Sequence, residues 1–466
     1  MVGGPYRGGY GGTAGGGRVR GLLASLGASS LIALAVVAAQ AQQIPQPPSV
    51  PAAGQADPRP LQLRGFLRVE GEYTDNFFLS EKNKQEEFRE IVTPGLGLRL
   101  ESGRSFADVS YAPSLIHSSI NEGEIEVFHL LDGSGSLALT ERTTLNATER
   151  FLRTDVPALT DPQGIRRDRT ILIQNTFTSG LTYRQDTWTL TPRYSVTLNR
   201  NEGGQQNQVG NQGQPVTNEK SLIQTFSADG ALDIVGRNTL GAGYDFTVGE
   251  FKVADDFIGH TGRVSFSRQL NPLTTAGLGG SVAHRDVQRG TDFNIYSGDI
   301  RLRRDVSPLY AVEGRFGYNI TDDAAGGGAE GFTFLLQGNY TGKSFRTSGT
   351  SSQSIQETFL DRNNVGLIES RDSTLQISYE ATPDLTLTLR GRMAQNSFLQ
   401  SSGSTLPAGQ QDRKDVLMDG GVDIAFRLTR LLSLTIGYNY TSADSNLRGF
   451  GYQSNRVRIG LTATYP

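Results

Sequence analysis

The residues of this chain best suited to chemistry are arginines and carboxylates that recur at every second position within short segments. Glu70 and Glu72 follow Arg68 in this way, and Arg458 follows Arg456. Side chains two positions apart share one face of a β-strand, so this spacing would line a wall with ionisable groups. Such a wall either pairs its charges internally or attracts anionic and sugar-acid solutes. The residues predicted to form it are Arg68, Glu70, Glu72, Arg99, Arg193, Arg301, Arg303, Glu313, Arg315, Arg390, Arg392, Asp423, Arg427, Arg456 and Arg458.

A second candidate is the triplet His117-Ser118-Ser119, the kind of histidine and serine pair that a lipid hydrolase would use. Its His117 and Ser119 share a strand face, and a nearby carboxylate would be needed to orient the histidine. The remaining histidines have no partner visible in the sequence. A triplet of this kind arises easily by chance in a serine-rich chain, so we predict no catalytic residue and no enzyme.

Metal, cofactor and nucleic-acid sites find no support. Neither cysteine nor a cluster of histidines and carboxylates at ligand spacing occurs, and the pairs Asp255-Asp256 and Asp322-Asp323 are interpreted as solvated loop residues. The formal net charge of −3 is nearly balanced and no basic patch with interleaved aromatics is present, which argues against nucleic acid. We predict no cofactor and no metal.

The segments that would position the charged wall alternate apolar and polar residues with a period of two. In one of them Trp188, Leu190 and Tyr194 share a face opposite Arg193 and Ser195. The composition, with 57 Gly, 22 Phe and 16 Tyr, favours turns and pleated strands over helices. One apolar and one charged face is the pattern of a transmembrane barrel strand, since charge facing lipid costs several kcal/mol near the bilayer centre. Aromatic residues at the strand ends are interpreted as membrane-interface girdles.

The connections between segments alternate between short and long. The predicted tight turns lie near residues 102–104, 141–142, 184–186, 236–238, 271–272, 307–308, 341–342, 382–384 and 429–430. The predicted long loops are Asn76 to Phe88, Asp155 to Arg169, Asn201 to Lys220, Thr321 to Gly331, Arg346 to Ser370 and Ser397 to Lys414. This asymmetry predicts an all-β fold, a closed transmembrane antiparallel β-barrel of about 20 strands with short periplasmic turns and long extracellular loops. The stretch from Tyr340 to Ser370 fits either a hairpin or a large loop, so 18 strands is the alternative count.

Three regions are predicted along the chain. Residues 1–41 form a signal peptide, with an uncharged run from Gly21 to Ala39 and an A-x-A site ending at Ala41. A membrane anchor is the alternative for that run. Residues 42–60 are a Pro-rich periplasmic lead-in, and residues 61–466 are the barrel, which localises the protein to the bacterial outer membrane.

Several segments resemble a family of outer-membrane β-barrel porins associated with exopolysaccharide or capsule export clusters. They are Tyr73 to Leu79, Val92 to Leu100 and Asp108 to Ser114, which resemble the opening hairpins of that family. The final strand, in which Val457, Ile459, Leu461 and Tyr465 share a face, resembles the signal read by the outer-membrane barrel assembly machinery, displaced one position by Pro466. The resemblance implies a pore or an export-associated barrel.

The sequence therefore predicts a pore for passive diffusion or a polysaccharide-export-associated channel. Its expected partners are outer-membrane lipid, the assembly machinery, and polysaccharide or small anionic and sugar solutes. The alternatives are a non-conducting structural or adhesive barrel that binds partners through its extracellular loops, and a soluble secreted β-protein. We also expect Glu70 and Glu72 to form ion pairs with Arg456 and Arg458 where the first and last strands meet.

Overall fold

The computed structural model describes residues 61–120, 124–156, 159, 169–202, 220–252, 255–288, 292–323, 328–359, 365–399 and 413–465. The predicted signal peptide, the Pro-rich lead-in and Pro466 lie outside these residues. Twenty strands follow one another: β1 Leu61–Thr74, β2 Glu87–Ser102, β3 Ser105–Ser118, β4 Ile125–Ala138, β5 Thr143–Thr154, β6 Leu172–Arg184, β7 Trp188–Asn201, β8 Lys220–Ile234, β9 Asn238–Phe251, β10 Phe257–Asn271, β11 Thr274–Val287, β12 Phe293–Ser307, β13 Tyr310–Asp323, β14 Gly328–Thr341, β15 Phe345–Phe359, β16 Val365–Thr382, β17 Leu385–Phe398, β18 Lys414–Arg427, β19 Leu432–Ser445 and β20 Tyr452–Tyr465.

The strands form one antiparallel sheet that closes on itself. Each strand pairs with the next along the chain, and β1 pairs with β20 from Gly65 opposite Tyr465 to Thr74 opposite Arg456. The prediction of a closed barrel is confirmed, with 20 strands and not 18. None of the described residues belongs to a helix long and apolar enough to cross a membrane.

The two faces of each strand differ as the alternation predicts. On β2, Leu96 is 63% exposed on the outer face, whereas the inward Arg89 is 3% exposed. The strands have 12 to 18 residues, more than the roughly 10 needed to cross a bilayer at a tilt. The barrel therefore presents an apolar band to lipid and extends beyond it, while charged side chains such as Arg89 face the interior.

The short connections occur at the predicted turn positions, and several are closed by a side-chain oxygen. Asn271 Oδ1 accepts a hydrogen bond from Leu273 N at 2.9 Å, and Ser307 Oγ accepts one from Leu309 N at 3.2 Å. Thr429 Oγ1 does the same for the N–H two residues on, at 3.2 Å. Asn, Ser and Thr close turns in this way because their short side chains reach the backbone two positions ahead.

The predicted loop from Arg346 to Ser370 is wrong. Most of it belongs to β15 and β16, which pair from Phe345 opposite Tyr379 to Phe359 opposite Val365. The apolar alternation is absent because the outer face of β15 carries Thr347, Gly349 and Ser351 instead of large apolar residues. This part of the outer face of the barrel is therefore small and polar instead of apolar.

Candidate functional site: the inner wall and its cavity

Every residue of the predicted charged wall lies on the inner face of its strand, opposite the exposed apolar set. Most of the arginines there have a carboxylate partner. Arg392 pairs with Asp372, Arg390 with Asp423, and Arg193 with Asp229. Within single strands, the distance from Arg301 to Asp299 is 2.7 Å, from Arg303 to Asp305 3.4 Å, and from Arg68 to Glu70 3.7 Å. The wall is therefore largely self-neutralised.

The expected ion pairs at the closure of the barrel form only in part. Arg456 Nη1 lies 3.9 Å from Glu72 Oε2, which joins β20 to β1 as expected. The Arg458 guanidinium instead approaches Asp423 on β18, with Nη2 3.4 Å from Oδ1, and Glu70 lies opposite Gly460. In the register Arg458 lies opposite Glu72 of the neighbouring β1, but it contacts Asp423, which is two strands away on β18.

Sequence reasoning missed most of the partner carboxylates, including Asp108, Asp229, Asp245, Asp299 and Asp372. They occupy the same face as the arginines. Counting every second residue along each strand from an inward arginine could therefore have identified them. Arg263 was missed as well, although it lies between Asp229 on β8 and Asp245 on β9. The distance from its Nη2 to Asp229 Oδ1 is 2.7 Å.

One side of the extracellular end is filled by loop residues, which we call the cap: Asn76, Phe77, Leu79, Asp155, Arg169 and Arg413. Leu79 packs in a buried cluster with Ala394, Leu417, Ala443 and Tyr452, which face inward from β17 to β20. Asn76 is fully buried, and its Nδ2 donates to the carbonyl oxygens of Ser80 at 2.8 Å and Gln453 at 2.9 Å. The first extracellular loop is thereby fixed against the inner wall.

Buried charges hold the cap to the wall. Asp155 lies 2.7 Å from Arg89 Nη2 on β2 and 3.5 Å from Arg169 Nη1, and both guanidinium groups stack on the Phe77 ring, at 4.3 and 4.6 Å from its centroid. Arg89 Nε also donates to Glu87 at 2.9 Å. Burial alone would raise the pKa of the Asp155 carboxyl, but Arg89 and Arg169 outweigh it and hold that pKa below the usual value of 3.8.

On the opposite side of the barrel the wall encloses a cavity of about 710 Å³ between β8 and β15. Its polar lining consists of charged groups, hydroxyls and amides, among them Asp229, Arg263, Ser281, Asp299, Arg301, Arg315, Asn319, Thr333 and Ser352. The cap contacts the other half of the wall, and none of its residues lines this cavity. A cavity of this size accommodates a small-molecule ligand.

Glycines on the inner face provide the space in which the cavity's ion pairs lie flat against the wall. A Cβ placed on Gly243 would be 2.5 Å from both Arg263 Nε and Asp229 Oδ1, and one on Gly279 would be 2.8 Å from Arg301 Nη2. Real Cβ atoms do not approach other atoms so closely. The glycines of β9 and β11 are therefore part of the site, a role that turn propensity alone would not reveal.

Replacing Gly243 with alanine should lower the free energy of unfolding by roughly 1–3 kcal/mol, because Arg263 must leave Asp229 or the strand must shift. Gly298→Ala is the matched control, since a Cβ there meets nothing within 4 Å, and it should stay within about 0.5 kcal/mol of wild type. Denaturant unfolding in lipid vesicles measures both variants. Equal stabilities would show that Arg263 has room to move aside.

Arg315 is the cation of the cavity that lacks a counter-ion. Among the described residues it makes no ion pair or hydrogen bond, and its buried Nε has no acceptor. It lies directly opposite Arg301 in the β12–β13 register, and Arg301 is already neutralised by Asp299. An unpaired guanidinium beside hydroxyl and amide groups is suited to a carboxylate, which it can bind with two parallel hydrogen bonds.

The other candidate sites lie elsewhere. His117 is on the outer face with its Nδ1 3.6 Å from Glu90 Oε2, while the Ser119 hydroxyl accepts a hydrogen bond from Phe88 N at 3.0 Å. Ser118, between them, points inward and bonds to Glu87. Across the described ranges, no three histidine or carboxylate side chains converge as metal ligands would.

Comparison with known proteins gives a family match to one part of the chain and similarities in fold to several solved structures. Residues 343–465, from β15 to β20, match the family model described as "Putative beta-barrel porin 2". No curated protein matches the chain. A mutant of the ferric enterobactin receptor PfeA from Pseudomonas aeruginosa is 12% identical, with 87% of this chain and 80% of the receptor covered and a TM-score of 0.50.

Two further solved structures are similar. The FrpB iron transporter from Neisseria meningitidis is 10% identical, with 87% of this chain and 82% of that chain covered and a TM-score of 0.50. The outer-membrane protein opdK from Pseudomonas aeruginosa is 12% identical, with 87% and 99% covered and a TM-score of 0.40. At these identities the similarity concerns the fold. The protein is an outer-membrane β-barrel of porin-like architecture, located in the bacterial outer membrane.

Proposed function

We propose that the protein is a passive-diffusion pore that favours small hydrophilic anions, with sugar acids as the expected class. The observation that carries this proposal is the polar cavity between β8 and β15, in which Arg315 is the cation without a counter-ion. A solute carboxylate would neutralise Arg315, and the surrounding hydroxyl and amide groups would replace water around sugar hydroxyls. Passage by diffusion requires such binding to be weak, and a single cation satisfies that condition.

The distribution of charge supports the same solute class. Arg193, Arg263 and Arg301 are paired with Asp229, Asp245 and Asp299, three positive charges against three negative, so they shape the cavity without adding net charge. Arg315 is the remaining positive charge, and in a water-filled passage with low-dielectric walls it would raise the local concentration of anions. The cap on the other side of the barrel would direct solutes toward this charge.

Planar-bilayer recording tests the proposal. The folded protein, identified by its heat-modifiable migration, should give discrete conductance steps, and its reversal potential in a KCl gradient should show a preference for chloride. Liposomes should take up glucuronate faster than glucose. Silent bilayers from correctly folded protein would contradict the pore and favour the adhesive barrel that binds through its extracellular loops.

The association with polysaccharide export, implied by the resemblance of the opening hairpins, is a narrower version of the same proposal. It predicts that an acidic oligosaccharide, but not a neutral one of equal length, blocks the conductance from one side. The assembly machinery is the expected partner during insertion, because β20 alternates apolar and polar residues and closes the barrel against β1. No catalytic step is part of the proposal.

A further inference from the structure

The barrel wall between β14 and β15 is hydrogen-bonded over only part of its height. The register runs from Thr341 opposite Arg346 to Phe334 opposite Gln353 and stops there. Beyond that point β14 continues to Gly328 paired with β13, and β15 continues to Phe359 paired with β16. Residues 328–333 and 354–359 thus border a gap in the backbone pairing, which we call the β14–β15 seam, and within it Ile355 Cδ1 would be 3.5 Å from a Cβ on Gly331.

Such a gap is costly if it faces hydrocarbon. Backbone N–H and C=O groups left unpaired in lipid cost several kcal/mol each, and they are tolerated where they line a polar or water-filled space. The lower part of the seam is within the apolar band, because Phe332 is 50% exposed on the outer face there. The unpaired backbone groups of the seam are therefore best accommodated beside a polar space.

The cavity that contains Arg315 supplies that space. Its lining includes Thr333 and Phe334 from β14 together with Gln353 and Ser354 from β15. These are the residues at which pairing between the two strands ends. The residues at the inner end of the seam consequently also line the cavity.

The two outer flanks of the seam have opposite character. On the β13–β14 side the rings of Phe316, Phe332 and Phe334 follow one another, with centroids 6.4 and 6.2 Å apart. A polar network covers the β15–β16 side: Ser351 bonds to Ser373 at 2.9 Å, Gln353 Nε2 donates to Glu369 at 2.8 Å, and Arg371 Nη2 donates to Glu369 at 3.1 Å. Pure lipid would leave that second flank poorly solvated, so an amphiphile suits the seam better.

We infer that the β14–β15 seam is a lateral passage for an amphiphilic carboxylate with a single acyl chain, moving between the cavity and the surrounding membrane. Arg315 offers the carboxylate a counter-ion inside the cavity. The Phe316, Phe332 and Phe334 rings offer the chain an apolar surface outside it. The inference goes beyond ion conduction, since an amphiphile could use this route whether or not small ions cross the barrel.

Because the chain contains no cysteine, the seam can be closed by a designed disulfide without background reactions. Thr333→Cys with Ser354→Cys places thiols on the two strands directly beyond the last bridge of the register. The control is Thr178→Cys with Ser195→Cys, which are opposite each other in the continuously paired part of β6–β7. If the first disulfide forms incompletely, a short bismaleimide closes the same pair.

The measurement is photolabelling of the protein in vesicles by dodecanoate carrying a diazirine at its chain end. Labelling should map to Phe332, Phe334 or Ile355, and closing the seam should lower it at least about tenfold, because a chain whose carboxylate is bound at Arg315 could no longer extend through the wall. Reduction should restore it, and the β6–β7 disulfide should leave it unchanged. Labelling that persists with the seam closed, or that maps elsewhere on the barrel, would overturn the inference. Conductance recorded on the same samples reports separately on the proposed pore.

Discussion

Replacing Asp155 with asparagine should lower the free energy of unfolding by about 3–5 kcal/mol, the usual cost of leaving buried charges without their partner. Arg89 and Arg169 both contact this carboxylate, at 2.7 and 3.5 Å, and both are less than a tenth exposed, although Arg89 also keeps Glu87 as a partner. The amide of asparagine keeps the size of the side chain but removes the negative charge. Loss of the cap from the wall is therefore the expected first step of unfolding in the variant.

Denaturant titration in lipid vesicles measures this effect, with Asp305→Asn as the control. Asp305 also accepts from an arginine, at 3.4 Å, but the pair is about half exposed and should contribute no more than about 1 kcal/mol. Similar losses in the two variants would contradict the importance of burial. Conductance provides a second readout, since release of the cap should widen the open path.

The pH dependence follows from the same group. Because the pKa of Asp155 in the folded protein lies below 3.8, its contribution is complete at neutral pH and is lost as pH falls from about 3.8 through the depressed value. Wild-type protein should therefore lose stability in this range more steeply than the Asp155→Asn variant. Parallel curves would show that other carboxylates dominate the acid response.

The barrel could be predicted from the sequence because its physical rule is simple. Lipid outside and water inside impose a period of two on each strand. Short turns that contain Asn, Ser or Thr, followed by the first apolar residue of the next strand, identify the periplasmic end of each hairpin. Strand β15 was not predicted because its outer face carries Thr347, Gly349 and Ser351 instead of large apolar residues. These residues belong to the part of β15 that is paired with β14, so the lost alternation does not mark the seam itself.

The candidate site was predictable only one strand at a time. Parity put Arg301, Arg315 and Arg193 on the inner face, but it could not say which arginines would be neutralised. That depends on register: Asp229 reaches Arg193 and Arg263 from the strand between them. The cap was not predictable at all, because Leu79 and Asp155 come from loops without periodicity and meet the wall only through the closure of the barrel.

Reversing the charge of Arg315 should have the largest effect on ion selectivity. One unit charge at ~7 Å in water corresponds to roughly 0.6 kcal/mol, and Arg315→Glu changes the charge by two units, roughly 1.2 kcal/mol, so it should lower the local anion concentration roughly sevenfold. The preference for chloride in a KCl gradient should disappear or invert. Low salt is required, because at 1 M the screening length is only about 3 Å and the effect should fade.

Arg303→Glu is the matched control for this change. It alters the net charge equally on the same inner wall, but Arg303 is 58% exposed near the periplasmic end of β12 and is not part of the cavity lining. Its effect on the reversal potential should be several times smaller, since solvent and Asp305 already screen it. If both variants shift the reversal potential equally, selectivity arises from the overall charge of the lumen, and the specific role of Arg315 is excluded.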